Sequence, residues 1–403
     1  MSRVSPYQFE NVAEAYGYDA DYIRAIFLDA KKISEKNLPV LFTLNHLALA
    51  TGCHYKILHS IVERKANPYH CFAIPKKTGG LRLISSPSPA LFDVQKFIKQ
   101  EILDAECALN EVHSAVYSYK KGVSIVDNAR KHVGSRWLIK VDIKDFFGSI
   151  TEDAVYSFFS SLGYANLLSF EIARLVTWPP KYQYVDEPIS FEAFQNNFNY
   201  NHNSAKFGST YRIYTNPLAP AGSLPQGSPT SPQLSNILFS SVDIALKGIS
   251  DKHQCIYTRY ADDLFFSCNK MSLGEAQDLL KKVQKILSKF GYVINKEKTK
   301  ILSPQSKKII TGIVIEDNAL RLDKKYKDAI KRDVFFAEKN GIAHQGRLCR
   351  SKNPLSFLEY LSGRINYAQQ VEPMFARKWQ ERLRCLVEKN NFINKQFYVQ
   401  KNK

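Results

Sequence analysis

The sequence lacks the features that mark several protein classes. It has no apolar run near the roughly 20 residues that a membrane-spanning helix needs, and its first residues show no basic stretch followed by an apolar one. We therefore expect a cytoplasmic protein with no membrane partner. The 7 cysteines form no CxxC pair, and the 9 histidines follow no spacing typical of metal ligands. This pattern favours reduced thiols over a zinc site or a disulfide framework.

Acidic residues are also few relative to basic ones. The 403 residues include 56 Lys and Arg but 38 Asp and Glu, which gives a formal net charge of +18. Such an excess favours a polyanionic partner, because cations that neutralise phosphates release bound counterions. A membrane surface is the alternative, but it calls for a basic amphipathic helix or a lipidation signal, and we find neither. Residues 321–403 hold 19 basic and 8 acidic residues interleaved with aromatic ones, which is typical of a folded basic module.

The hydrophobic patterning predicts mixed helices and strands in a chain long enough for two or three subdomains. Two short apolar stretches around a Lys-Thr-Gly-Gly turn at 71–84 predict a β-hairpin. A β-rich run at 137–142 ends on an aspartate, and 255–267 is a second predicted hairpin with Ala-Asp-Asp at its turn. Residues 178–218 are polar and rich in asparagine, which indicates an insertion. Residues 273–290 have the period of an amphipathic helix, and we expect the chain after them to be mainly helical.

Carboxylates lie at two of these predicted β elements. Asp142 closes the 137–142 run, and Asp262 and Asp263 lie at the turn of the second hairpin. An aspartate pair in a turn is by itself ordinary turn chemistry. Nucleotidyl transfer, however, requires carboxylates from separate elements to hold two magnesium ions about 4 Å apart, and magnesium prefers oxygen ligands. The three aspartates are therefore the candidate site for such a reaction.

Three segments resemble the A, B and C motifs of reverse transcriptases, and they occur in the same order. They are Val-Asp-Ile-Lys-Asp-Phe-Phe at 141–147, Leu-Pro-Gln-Gly-Ser-Pro-Thr-Ser-Pro at 224–232 and Tyr-Ala-Asp-Asp at 260–263. The segment 74–84 resembles the fingers hairpin of that family, and Asn-Lys-Glu-Lys-Thr at 295–299 resembles its D motif. The resemblance implies an RNA-directed DNA polymerase.

The same resemblance implies an α+β fold of the right-hand polymerase type. Residues 1–135 would form N-terminal helices and fingers, and residues 136–320 would form an antiparallel-sheet palm that contains the Tyr-Ala-Asp-Asp motif and the 178–218 insertion. Residues 321–403 would form the basic helical thumb.

Two further elements resemble the retron branch of the family. Retron enzymes contain an Asn-Ala-x-x-His element before the A motif, and this chain has Asn128-Ala-Arg-Lys-His132. They also contain Val-Thr-Gly after the D motif, where this chain has Ile310-Thr311-Gly312. The resemblance implies retron-specific roles, RNA binding among them, for Asn128, His132, Thr311 and Gly312.

For the metal site, the resemblance implies a set of ligands drawn from motifs A and C. Asp142 and Asp262 would bind two magnesium ions together with the backbone carbonyl of Ile143. Asp263 would contribute mainly to the field and geometry of the same metal site.

For the sugar and base of the incoming nucleotide, the resemblance implies three positions. Phe147 would stack under the sugar and exclude a 2′-hydroxyl, which would make the enzyme prefer deoxynucleotides; a core phenylalanine is the alternative. Gln226 and Gly227 would lie against the base and sugar, where glycine allows a close backbone approach.

For the triphosphate, the resemblance implies basic side chains from the fingers and from motif D. Arg82, with Lys76 or Lys77, would hold the phosphates, and arginine can do so with two parallel hydrogen bonds. Lys298 would protonate the leaving pyrophosphate. Each of these lysines could equally be an ordinary solvated charge.

The retron resemblance also implies partners. A structured non-coding RNA would supply both template and primer, and synthesis from deoxynucleotides would start at the 2′-hydroxyl of an internal guanosine to give branched single-stranded DNA, called msDNA. We find no RNase H-like array of carboxylates, so removal of the copied RNA would fall to host RNase H. A separate effector protein would act with the enzyme in antiphage defence.

Two alternatives remain open at this point. The first is another bacterial reverse transcriptase, phage-defence or intron-related, that does not use branched priming. The second is a catalytically inactive RNA-binding scaffold, which the intact aspartates argue against.

Overall fold

The computed structural model describes Ala15, Gly17 and residues 19–76, 79–179, 221–349 and 351–389. Nearly all of the predicted insertion at 178–218, and Lys77, lie outside the described residues. The chain divides into two compact units. Unit 1 comprises Met1–Lys120, Ile143–Gly248 and Val283–Asn295, and unit 2 comprises Lys121–Asp142, Ile249–Lys282 and Lys296–Lys403. The predicted division into fingers, palm and thumb stays a prediction.

Helices and strands alternate irregularly along the described chain. In order they are α1 (Ala20–Glu35), α2 (Leu44–Thr51), α3 (Tyr55–Val62), β1 (Tyr69–Pro75), β2 (Leu81–Pro87), α4 (Pro89–Phe97), a π-helix (Ile98–Leu103), α5 (Glu106–Leu109), α6 (Ile125–Arg130), β3 (Trp137–Asp142), α7 (Glu152–Ser161), α8 (Asn166–Val176), α9 (Ser231–Leu238), α10 (Ser240–Lys252), β4 (Ile256–Tyr260), β5 (Asp263–Cys268), α11 (Leu273–Lys289), β6 (Lys300–Leu302), β7 (Lys308–Ile310), β8 (Ile313–Ile315), β9 (Leu320–Leu322), α12 (Lys324–Asn340), α13 (Ile342–Leu348), α14 (Pro354–Val371) and α15 (Pro373–Lys389).

Unit 1 consists of helices and the antiparallel hairpin β1–β2. A buried charge network holds its helices together: Glu152, at the start of α7, pairs with Arg64 at 2.6 Å and with Arg174 of α8 at 2.7 Å. The same carboxylate accepts hydrogen bonds from the Gly222 backbone N–H at 2.8 Å and the Thr177 hydroxyl at 2.9 Å. The network therefore joins two helices to the chain that leads into the B motif.

Unit 2 contains two antiparallel sheets and the C-terminal helices. Its four-stranded sheet has the order β4-β5-β3-β6, and its three-stranded sheet has the order β7-β8-β9. Leu138 and Phe265 of the larger sheet share a buried core with Ile310 and Ile313 of the smaller sheet and with side chains of α12 to α15. Burial of this shared apolar surface ties the C-terminal helices to the sheet that bears the aspartates.

Most of the predicted elements are present. The run at 137–142 is β3, the hairpins at 71–84 and 255–267 are β1–β2 and β4–β5, and the amphipathic helix is α11. The chain after 290 is mainly helical, as predicted, because it contains α12 to α15, but four strands of three residues each between residues 300 and 322 were not predicted. A three-residue strand is too short to show a hydrophobic alternation, and the strands are defined by their pairing partners.

Candidate active site

The three predicted aspartates lie together at one end of the four-stranded sheet. Asp142 is the last residue of β3, and it pairs directly with Asp263, the first residue of β5. Directly paired residues of antiparallel strands lie on the same face, with Cα atoms roughly 4.5–5.5 Å apart. Asp262 occupies the turn between β4 and β5. Asp142 is 4% exposed, and Asp262 and Asp263 are half-buried.

The turn that contains Asp262 is strained. Tyr260 pairs with Asp263, so two residues close the hairpin, and the first of them, Ala261, has a φ of 55°. Hairpins of this length favour glycine at that position, since a side chain there disfavours the left-handed backbone. The Arg259 guanidinium, which is fully buried, donates a hydrogen bond to the Ala261 carbonyl at 3.3 Å. This contact helps to hold the strained turn.

Two lysines compensate the negative charge of the aspartates. Lys298 lies 3.1 Å from Asp142, and Lys140 lies 2.8 Å from Asp263. Burial raises the pKa of Asp262, and the negative charges of Asp263 and Asp142 raise it further. Burial also raises the pKa of Asp263, although the Lys140 ammonium opposes that effect. The carboxylates therefore repel one another, and added positive charge would stabilise their ionised forms.

The donor set fits a divalent cation of the magnesium type. Three carboxylates lie at one end of the sheet, and their oxygens are ligands of the kind that magnesium prefers. A bound cation would relieve the repulsion between them. As they are placed, no three His, Cys, Asp or Glu side chains among the described residues converge closely enough to hold an ion. Lys298 and Lys140 would have to give up their present pairing with Asp142 and Asp263 for metal to bind.

The motif A residues after Asp142 belong to unit 1. Phe146 is buried among aromatic rings, 5.3 Å from Phe239 and 6.2 Å from Tyr292 between centroids. Phe147 is half-buried, and its ring centroid lies 6.4 Å from that of Tyr119. Ile143 is buried and forms an isolated β-bridge with Ile294. The sugar-facing role of Phe147 and the ligand role of the Ile143 carbonyl stay predictions.

The B-motif loop packs against the β1–β2 hairpin within unit 1. The Ser85 N–H of β2 donates to the Gln226 carbonyl at 2.7 Å. Gly227 has a φ of 123°, and a Cβ on it would lie 2.7 Å from the Ser85 carbonyl oxygen. The glycine is therefore required by a close approach to the hairpin backbone, a reason that the sequence did not reveal. Gln226 is half-buried and Gly227 exposed, and their contact with a nucleotide stays a prediction.

The basic residues predicted for the triphosphate lie at the free end of the hairpin. Arg82 is exposed and pairs in register with Ile74. Lys76 is exposed, and its backbone N–H donates to the Gly80 carbonyl at 2.9 Å, which closes the turn. The alternative Lys77 lies outside the described residues. Phosphate binding by these side chains stays a prediction.

The two retron-like elements contact each other in unit 2. Thr311 and Gly312 have φ values of 47° and 87° and form the two-residue turn between β7 and β8, for which a positive φ at both positions is typical. The Thr311 hydroxyl donates to the Ile125 carbonyl of α6, the helix that contains Asn128. Asn128 and His132 are both 0% exposed, so their side chains are not available to a bound RNA, and any contribution to RNA binding would be indirect.

Lys140 and Arg259 are site residues that our sequence reasoning missed. Lys140 precedes Asp142 by two positions on a strand, and residues two apart share a face, so the alternation could have revealed it. Arg259 had no comparable signal, because its contact with Ala261 depends on a buried side-chain conformation. Within the described residues, no helix is long and apolar enough to cross a membrane.

Comparison with known proteins identifies the class. The family "Reverse transcriptase (RNA-dependent DNA polymerase)" matches residues 74–315, more than half of the chain, and this range contains all three aspartates. The chain therefore belongs to the reverse transcriptase family and is an RNA-directed DNA polymerase with the α+β fold that we predicted. Enzymes of this family use divalent metal ions, in agreement with the donor set.

Curated relatives narrow the class to the retron type. The chain is 28% identical to the retron Ec86 reverse transcriptase of Escherichia coli over 79% of this chain and 87% of that protein. It is 26% identical to the retron Mx65 reverse transcriptase of Myxococcus xanthus over 88% of this chain and 74% of that protein. These similarities confirm the predicted resemblance to retron enzymes.

The similarity to solved structures is lower than the similarity to these relatives. The foamy viral protease-reverse transcriptase in complex with double-stranded DNA is 16% identical, with a TM-score of 0.38. The match covers 79% of this chain and 44% of that chain. A TM-score of this size supports no argument about function.

Proposed function

We propose that this retron-type reverse transcriptase copies part of a structured non-coding RNA into single-stranded DNA that stays joined to the RNA through a 2′-hydroxyl primer. The RNA serves as template and primer, and host RNase H removes the copied strand. The branched product, msDNA, acts with a separate effector protein in antiphage defence in the cytoplasm.

One observation favours the retron product over an unbranched one. The Asn128–His132 element and the Thr311-Gly312 turn are both present, and the Thr311 hydroxyl joins the turn to the helix of Asn128. Two sequence elements far apart in the chain thus form one structural feature next to the sheet that bears the aspartates. This pairing, together with the retron relatives, supports the branched-priming proposal more than it supports a phage-defence or intron-related enzyme.

For the chemistry, we assign metal binding to Asp142, Asp262 and Asp263, with the Ile143 carbonyl, around two magnesium ions. The bound ions would activate the attacking hydroxyl and neutralise the triphosphate. Lys298 lies 3.1 Å from Asp142, and this contact supports the proposal that its ammonium protonates the leaving pyrophosphate.

In unit 1 we assign deoxynucleotide selection to Phe147, base and sugar contacts to Gln226 and Gly227, and phosphate contacts to Arg82 and Lys76. The half-buried ring of Phe147 and the exposed positions of Arg82 and Lys76 are compatible with these roles. The basic helices α12 to α15, which share a core with the catalytic sheet, are the surface we assign to the RNA.

The test is to purify the protein from cells that contain its native operon and to sequence the bound nucleic acid with and without debranching enzyme. We expect a short single-stranded DNA joined to RNA by a bond that debranching enzyme cleaves. RNA with unbranched complementary DNA would contradict the priming proposal and favour another bacterial reverse transcriptase. Bound RNA with no DNA, in the presence of deoxynucleotides and magnesium, would favour an inactive RNA-binding scaffold.

A further inference from the structure

His132 is a buried imidazole that touches both strands of the catalytic hairpin. Its Nε2 lies 2.7 Å from the Thr258 hydroxyl of β4, and its Nδ1 lies 2.7 Å from the Ser267 hydroxyl of β5. The residue is 0% exposed. Because Asp262 lies in the turn between β4 and β5 and Asp263 is the first residue of β5, the imidazole bridges the hairpin that carries two of the three candidate metal ligands.

The bridge and the aspartates lie on the same face of the sheet. Side chains alternate along a strand, so Asp263, Phe265 and Ser267 of β5 share one face. Lys140 pairs with Phe265 in register and therefore shares that face. The Phe265 ring lies 6.2 Å from the His132 ring and 5.5 Å from the Lys140 ammonium. A continuous row of contacts thus runs from His132 through Phe265 and Lys140 to Asp263.

The chemical properties of the His132 imidazole suit a structural role in which its hydrogen bonds do not change. Burial lowers the pKa of His132 to about 3, so the ring is uncharged at neutral pH. Each ring nitrogen faces a hydroxyl, and a hydroxyl can either donate or accept, so both hydrogen bonds persist in either tautomer. Few side chains other than imidazole offer two rigidly opposed polar atoms at this spacing.

We propose that His132 is a positioning residue for DNA synthesis, which holds β4 and β5 in the register that presents Asp262 and Asp263 at the end of the hairpin. The proposal rests on the polymerase activity of the chain and is independent of how the natural product is primed. It gives the His132 side chain of the Asn-Ala-x-x-His element a role in supporting the β4–β5 hairpin instead of in direct contact with RNA.

The experiment measures extension of a DNA oligonucleotide annealed to a generic RNA template by wild type, His132→Ala, His132→Gln and Thr258→Val. We expect His132→Ala to lower kcat by about 10–100-fold and to raise the magnesium concentration for half-maximal rate, as loss of groups that orient metal ligands does. The KM for deoxynucleotides and the affinity for primer–template should stay near wild type. Glutamine, which retains a donor and an acceptor, should restore part of the rate.

Ser135→Ala is the matched control. The Ser135 hydroxyl donates to Ser267 at 2.9 Å, so this variant trims the same network without breaking the bridge, and its magnesium dependence should match wild type. Thr258→Val should change the magnesium dependence in the same direction as His132→Ala. The double variant with both changes should have a kcat no lower than that of His132→Ala alone. The proposal is wrong if His132→Ala lowers only the melting temperature. In that case the magnesium dependence, and the kcat measured at a low temperature at which the variant is folded, would equal those of wild type. A wild type that cannot extend this primer would overturn the polymerase assignment, and the positioning role with it.

Discussion

Replacing Glu152 with glutamine should destabilise unit 1 by about 3–5 kcal/mol. Glu152 is 1% exposed and is the counter-ion of two buried arginines, Arg64 and Arg174. Glutamine has nearly the same shape, but it removes the negative charge and turns an acceptor oxygen into an amide donor that would face the Arg64 guanidinium or the Gly222 N–H. Two buried positive charges would then lack a counter-ion, and this loss is the main cost.

The pKa of Glu152 gives an independent estimate of the same quantity. Burial alone would raise this pKa, but the charges of Arg174 and Arg64, with hydrogen bonds from Gly222 and Thr177, outweigh burial and lower it from 4.5 to about 2. A decrease of this size corresponds to about 3 kcal/mol. Burial lowers the pKa of Arg64 to about 10, so this arginine still carries its charge at neutral pH.

The sign of the pH dependence follows from the lowered pKa. The carboxylate binds its proton less readily in the folded than in the unfolded protein, so its stabilising contribution is complete above about pH 4.5. It is lost as the pH falls toward 2. We therefore expect wild type and Glu152→Gln to differ most at neutral pH and to converge in acid.

Urea unfolding provides the assay. The chain has 3 tryptophans, and Trp178 lies in the network, with the Arg64 guanidinium 5.2 Å from its ring centroid. Replacing Trp137 and Trp379 with phenylalanine leaves Trp178 as a fluorescence probe of unit 1. Glu111→Gln, the same change at an exposed carboxylate, is the control. A free energy of unfolding that differs by less than about 1 kcal/mol between the two glutamine variants would refute the reasoning.

Three further predictions concern catalysis. The Asp262→Asn, Asp263→Asn double variant should abolish DNA synthesis while RNA retention on a filter stays near wild type; residual complementary DNA would contradict the metal assignment. Lys140→Gln removes a charge that lowers the pKa of Asp263, so the acid side of the pH–rate profile should move to higher pH. An unmoved profile would show that Lys140 does not act on the titration of Asp263. Phe147→Ala should raise ribonucleotide incorporation relative to deoxynucleotide incorporation by at least about tenfold, since the ring that excludes the 2′-hydroxyl is gone. Competition between dGTP and GTP on one template measures this ratio, and Phe146→Leu, a change in the neighbouring core ring, is its control.

Local patterns in the sequence were sufficient to place the catalytic strands. The apolar run at 137–142 and the two apolar flanks of Ala-Asp-Asp coincide with β3 and with β4–β5, because strand alternation and turn residues act over a few positions. The order of the motifs along the chain also indicates the three aspartates and the family.

Only the tertiary structure decided which residues and strands contact one another at the site. Strand register sets Asp142 against Asp263 and Lys140 beside them, and no local pattern specifies register. The four short strands between 300 and 322 were missed for the same reason, since they exist only where their partners lie. The motif predicts an RNA-binding role for His132, but its side chain is a buried bridge because the fold packs it between the two strands of the β4–β5 hairpin. Periodicity reports which face of an element is apolar, whereas the contacts of a buried polar group depend on residues that are distant in sequence.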